Sequence, residues 1–177
     1  MLEQLNREIG LLATGSCLGD RVVDNATLRD MITGYDEAES GPFDEWVEKV
    51  THIRERRYLD TEKGTADLAH GAAMQALERA GLTGADIPCV IYCSFTYRET
   101  FPGDLLRFCE MIGAPRTAAF NLGAACAGSV YGLGMAYALV KAGMYERVLV
   151  VGVENMSRII NFDDPLTVIL FGDGARA

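Results

Sequence analysis

The chain has 177 residues, 49% of them apolar and 23% charged, enough for a sizeable core in one domain or in one half of a doubled fold. It is acidic, with 25 Asp and Glu against 16 Lys and Arg and a formal charge of −9, a balance that repels a phosphate backbone and excludes general nucleic-acid binding. The opening MLEQLNREIG is not a signal peptide, and no stretch reaches the ~18 uninterrupted apolar residues of a membrane span.

The pattern along the chain predicts strands alternating with helices. Glu8–Thr14 (EIGLLAT) reads as a first strand, closed by Gly15 and Gly19. Asn25 is placed to cap a short helix over Ala26–Thr33, and Gly34–Pro42 reads as an acidic surface loop. Phe43–Val50 forms a short helix carrying Trp46, the only tryptophan. Thr65 starts a helix over Ala66–Ala80 that Gly81 stops, with Leu68, Ala72, Ala76 and Ala80 on one face. Pro88–Phe95 (PCVIYCSF) reads as a buried strand, Pro102–Ile112 as a helix and Ala118–Leu122 as a strand. A helix over Ala125–Ala142 follows, then strands over Arg147–Val153 (RVLVVGV) and Thr167–Phe171 (TVILF), and Gly172-Asp173-Gly174 as a tight turn. This alternation predicts an α/β layered fold, a mixed, mostly parallel sheet with helices on both faces.

The helix after position 126, AGSVYGLGMAYALVKAG, is apolar or small nearly all round. Such a helix belongs in the centre of a structure, covered on both sides, and a chain of this length hardly supplies two covering layers. The pattern therefore predicts one half of a larger fold, residues 1–177, with the helix as a buried central layer.

Cys126 is placed where strand Ala118–Leu122 turns through Gly123-Ala124-Ala125 into that helix, the geometry of a nucleophile elbow. Small residues permit the tight turn, and a helix N-terminus favours thiolate over thiol. On local pattern alone a small buried cysteine among alanines stays open beside the nucleophile. The other cysteines, at 17, 89, 93 and 109, form no CxxC pair, and no third ligand stands near Cys89 and Cys93, so no metal site is expected. Without a secretory signal, reduced thiols in a cytoplasmic protein are the expectation.

The run NLGAACAGSVYGLGMAYALVKAGMYERVLVVGVENMSRI, followed by ILFGDGA, resembles the β-ketoacyl-acyl carrier protein synthase III family of the thiolase-like superfamily. Asp44-Glu45-Trp46, Ile53-Arg54-Glu55-Arg56 and Phe101-Pro102 recur in the same order, so the resemblance spans the chain but only the N-terminal half of a family member. It implies a thiolase-like half and a decarboxylative Claisen condensation. An acyl group passes from acyl-CoA or an acyl carrier protein thioester to Cys126, and a malonyl-carrier carbanion then attacks it. The Cys126 N–H would be one oxyanion donor. The family's catalytic histidine and asparagine lie in the C-terminal half, and neither His52, which replaces a family glycine, nor His70 falls in that motif. No cofactor is implied, and a homodimer pairing through Ala118–Leu122 is.

By the same resemblance Trp46 stacks on the CoA adenine and Phe101 crosses a dimer interface to close the partner's acyl pocket. Val50 and Pro165 replace the two arginines expected beside Trp46, which argues against ordinary acetyl-CoA as the donor. Without the resemblance, Trp46 reads as an aromatic half-buried against its helix and Phe101 as a core aromatic. Arg54, Arg56 and Arg57 offer a basic patch for an acidic carrier protein, or an ordinary solvated cluster. A non-catalytic partner half, and another acyltransferase of the superfamily, are the alternative readings.

Overall fold

The computed structural model describes residues 8–99, 101 and 103–177. Its main sheet holds five strands in the order β1-β7-β6-β4-β5. These are β1 (Ser16–Leu18), β4 (Cys89–Cys93), β5 (Ala118–Leu122), β6 (Leu149–Asn155) and β7 (Asp173–Arg176). β5, β4 and β6 are mutually parallel, whereas β7 is antiparallel to both β6 and β1. Four strands therefore run one way, and the sheet is mixed but mostly parallel. A two-stranded ribbon, β2 (Arg21–Asp24) and β3 (Glu55–Tyr58), lies outside it.

Alternation along β4 and β6 sorts side chains onto two faces. Val90, Tyr92, Leu149, Val151 and Val153 enter one core, where α4 (Thr65–Ala80) and α5 (Asp104–Met111) cover them with Leu68, Leu105 and Phe108. Ile91, Cys93 and Val150 face α6 (Gly128–Lys141) on the other side. α4 forms for the reasons its sequence gives. Leu68, Ala69, Ala72, Ala73, Ala76 and Leu77 make a buried stripe, the Asp67 carboxylate accepts from the Gly64 N–H at 2.9 Å, and Gly81 closes the helix at φ 66°. A smaller core gathers Val23, Leu28, Phe43, Val47, Tyr58, Val168 and Ile169 from β2, β3, α1 (Asn25–Met31), α3 (Phe43–Thr51) and the segment about α7 (Pro165–Val168).

Several expectations are corrected. Glu8–Thr14 is not a strand; Leu11 and Leu12 stand exposed there, and β1 begins only at Ser16. The cap of α1 is Asp24, whose carboxylate accepts from the Thr27 N–H at 2.7 Å, while Asn25 lies buried and donates to the Ile53 carbonyl. The acidic loop contains a one-turn helix, α2 (Glu37–Ser40), capped by Asp36. The predicted start of α5 at Pro102 lies outside the described residues, and the helix is seen from Asp104. Thr167–Phe171 is not a strand, since Asp164 caps a helix there with Pro165 as its first residue. Asp173 and Gly174 belong to strand β7, so the predicted tight turn is absent.

α6 is not buried on both sides in this chain. Its sheet-facing side packs on β4 and β6, and its outer side exposes Val130, Tyr131, Leu133 and Tyr137.

Candidate functional site

Parallel strands present their C-terminal ends as the usual place for a reactive group. β5 ends at Leu122, and the chain reverses through Gly123 and Ala124 into a 3-10 turn, Ala125–Ala127, before α6 begins at Gly128. Ala125 takes φ +45°, a left-handed conformation that costs a non-glycine residue roughly 1–2 kcal/mol. Cys126 follows it with its residue exposed. The thiol thus precedes the α-helix by two residues rather than opening it, and it is not the buried cysteine that pattern alone allowed. Leu122, Gly123 and Ala124 form one side of an open apolar groove, and Val130, Tyr131 and Met135 of α6 form the other.

Two absent side chains set the height of α6 above the sheet. A Cβ at Gly132 would stand 2.7 Å from the Cys93 Sγ and 2.9 Å from the Val150 Cγ1, and one at Gly152 would meet the Ser129 Oγ at 2.2 Å. Helix and strands therefore approach as only glycine permits, which fixes the turn that carries Cys126. A second cleft, about Asp86, Pro88, Tyr145 and Arg147, lies at the opposite, N-terminal ends of β4 and β6 and holds no nucleophile.

Trp46 is half-buried, its ring centroid 5.0 Å from that of Tyr35 and 5.8 Å from that of Phe43. Val50 is exposed one turn further along α3, and Pro165 opens α7. Phe101 is 92% exposed, so it is no core aromatic. His52 ends α3 with φ 60°, the left-handed conformation that glycine adopts most cheaply. His70 lies on α4, across the sheet from α6, so the structure brings neither histidine to the Cys126 turn.

The three arginines do not make one basic patch. Arg54 is exposed and pairs with Glu48 at 2.8 Å, and Arg57 stands 3.8 Å from Glu55. Arg56 points to the opposite side of β3, is 6% exposed, and donates to the Asn25 side-chain oxygen at 2.9 Å and to the Val23 and Ile169 carbonyls. A buried guanidinium cannot dock a carrier protein, and Arg56 is removed from that surface. Arg56→Ala, which strands those acceptors, is expected to cost about 2–4 kcal/mol in urea unfolding. A stability unchanged within about 0.5 kcal/mol would contradict the buried role.

Carboxylates with several donors each escaped the sequence reading, among them the buried Asp173 and the half-buried Glu154. Asp173 is 4% exposed and accepts from the Leu59 N–H at 2.7 Å, the Ser157 N–H at 2.8 Å and the Ser157 hydroxyl at 2.6 Å. Glu154 is the lone charge in the apolar strand LVVGVEN, which was the available signal. Burial pushes its carboxyl up, against hydrogen bonds from Thr96, Phe95 and Ser94 that hold it down.

The 3-oxoacyl-[acyl-carrier-protein (ACP)] synthase III family model matches residues 120–177, the portion holding the Cys126 turn, α6, β6 and β7. A beta-ketoacyl-[acyl-carrier-protein] synthase III of Caldanaerobacter subterraneus subsp. tengcongensis is 39% identical over 95% of this chain and 48% of its own length. Among solved structures, the 3-oxoacyl-[acyl-carrier-protein] synthase III of Aquifex aeolicus VF5 superposes with TM-score 0.84 at 32% identity, over 93% of this chain and 51% of that one. The priming beta-ketosynthase of the R1128 polyketide biosynthetic pathway gives 0.83 at 30% identity, over 97% and 51%. The chain spans about half the length of the curated relatives it matches.

Proposed function

We propose, from a chain that belongs to the 3-oxoacyl-[acyl-carrier-protein] synthase III family, that Cys126 accepts an acyl group from a thioester and holds it for condensation. The observation that carries the reading is an exposed cysteine on a strained turn at the C-terminal end of β5, a turn whose Gly123 and Ala124 line an apolar groove. In the first step the sulfur forms a new thioester with the acyl carbonyl and the donor leaves as its free thiol. In the second, a malonyl thioester on acyl carrier protein loses carbon dioxide. Its carbanion attacks the acyl carbon, and the product is a 3-oxoacyl thioester with the Cys126 thiol restored.

Residues 1–177 act in this reading as the N-terminal, nucleophile-bearing half. A C-terminal half covers the apolar outer side of α6 and supplies the remaining catalytic groups. The free edge of β5 suits pairing with a second copy, giving a homodimer. Phe101, exposed on its loop, is assigned to the partner's acyl pocket and Trp46 to the donor's path. Val50 and Pro165 offer no guanidinium to an adenine, so the favoured donors are an acyl carrier thioester or a specialised acyl-CoA rather than acetyl-CoA. Arg54, exposed before β3, and Arg57, half-exposed on it, are the cations available to an acidic carrier. The chemistry calls on no cofactor. A cytoplasmic setting is part of this reading. No helix among the described residues is long and apolar enough to cross a membrane.

The test is intact-mass spectrometry after incubation with a panel of acyl-CoA and acyl-carrier thioesters, using this chain and the protein that joins it to its C-terminal half. A gain of one acyl group mapping to Cys126 is expected in the joined protein, with condensation absent from residues 1–177 alone. A joined protein that is folded yet takes no acyl group from any donor would overturn the reading in favour of a non-catalytic partner half.

A further inference from the structure

Beyond β4 the chain enters the segment that leads to Phe101, and two carboxylates take hold of it. Glu154, near the end of β6, accepts from the Thr96 hydroxyl at 2.5 Å, the Thr96 N–H at 3.2 Å, the Phe95 N–H at 3.3 Å and the Ser94 hydroxyl at 3.3 Å. The same Thr96 oxygen accepts from the Asn155 N–H at 2.8 Å, which ties the segment to the strand a second time. Further on, Asp104, 4% exposed, accepts from the Arg98 N–H at 2.7 Å and the Thr65 hydroxyl at 2.5 Å. Arg98 also reaches the Glu62 carbonyl at 3.1 Å.

Phe101 lies beyond the residues both carboxylates hold, in the stretch from Arg98 to the Asp104 that accepts from it, and is itself exposed. Glu154 shares a sheet face with Val150 and Gly152, the face on which α6 and the Cys126 turn lie. A Cβ on Gly123, in that turn, would lie 3.9 Å from the Ser94 carbonyl oxygen, so the turn rests close to the held segment. A half-buried carboxylate surrounded by donors from one short stretch of chain serves as an anchor point for that stretch.

We propose that Glu154 and Asp104 are positioning residues that clamp the segment leading to Phe101, and so set which acyl lengths the enzyme accepts without altering the reactivity of the Cys126 thiol. The selectivity half of this inference rests on the acyl-transfer reading given above. The clamp itself rests on the hydrogen bonds.

The experiment uses the joined protein with Glu154→Gln, Asp104→Asn, Thr96→Val and Thr96→Ser. Hydrogen exchange at the Phe95, Thr96 and Arg98 amides reads the clamp directly. Glu154→Gln and Thr96→Val are expected to speed exchange at Phe95 and Thr96 at least tenfold, and Asp104→Asn to do so at Arg98. The Ile91 amide in β4 should keep its wild-type rate, and Thr96→Ser should behave as wild type. Relative kcat/KM across straight-chain acyl thioesters of increasing length reads selectivity. The wild-type preference should flatten at least tenfold in the first three variants, with the Cys126 alkylation rate by iodoacetamide unchanged within twofold. Unchanged exchange at the three amides would overturn the clamp. Faster exchange with an unaltered length profile would overturn the positioning role and leave a purely structural one. Should the wild type take no acyl group at all, the acyl-transfer reading fails by itself, the selectivity claim falls with it, and exchange still decides whether the clamp exists.

Discussion

Cys126→Ser in the joined protein is expected to lower acyl transfer on the order of 10⁴-fold or more while leaving the fold intact. The substitution exchanges one atom at an exposed position, so unfolding free energy should move by no more than about 0.5 kcal/mol. Chemistry moves far more. A hydroxyl holds its proton much more tightly than a thiol and needs an adjacent base before it can attack a thioester. The two histidines of this chain cannot serve, because His52 closes α3 and His70 lies on α4 across the sheet. Single-turnover acyl transfer followed by mass spectrometry checks the result. A serine variant that acylates within tenfold of wild type would move the nucleophile elsewhere.

Asp173→Ala is expected to produce the opposite signature, a large loss of stability with an intact Cys126 turn. The carboxylate gathers a backbone N–H from beyond β3 and both donors of Ser157, and so joins the ribbon, the segment after β6 and β7 at one buried point. Alanine leaves the buried Leu59 amide and the part-buried Ser157 amide without acceptors, and each such orphan costs up to ~1–3 kcal/mol. A loss of about 3–4 kcal/mol is a large share of the ~5–15 kcal/mol by which domains are stable. Asn should do little better, since three donors meet two oxygens in the carboxylate and only one in the amide. Urea unfolding with an unchanged slope is the check, and a midpoint equal to wild type would deny Asp173 this role.

The strongest periodic signals in the sequence were the reliable ones. α4 and β5 lie where pattern put them, because a continuous apolar stripe and a compact strand between loop residues each admit one reading. TVILF misled for a physical reason. Its β-branched composition favours a strand, yet Asp164 and Pro165, one residue upstream of it, make a helix start, and the local cap prevailed. EIGLLAT failed differently: its pattern is that of a strand, but Leu11 and Leu12 remain uncovered in this chain. At the site, Cys126 was legible because the turn is local in sequence. Glu154, Asp104 and Arg56 were not, because their partners lie 58, 39 and 31 residues away and a single sequence carries no record of such pairings. Arg56 reads as one of three surface cations until strand alternation turns it inward.

The strand order also dictates a schedule for the ribosome. Ser16 pairs with Arg176, and among the described residues β1 has no other neighbour in its sheet. The first strand made must therefore wait for about 160 further residues, roughly ten to thirty seconds at ordinary elongation rates, before its edge is satisfied. β4 and β5 are much nearer in sequence, joined by a crossover that carries α5, so both are available for pairing well before β7 is made. Until β7 arrives, β1 is an open edge on a nascent chain, and that interval is when a chaperone has most to protect.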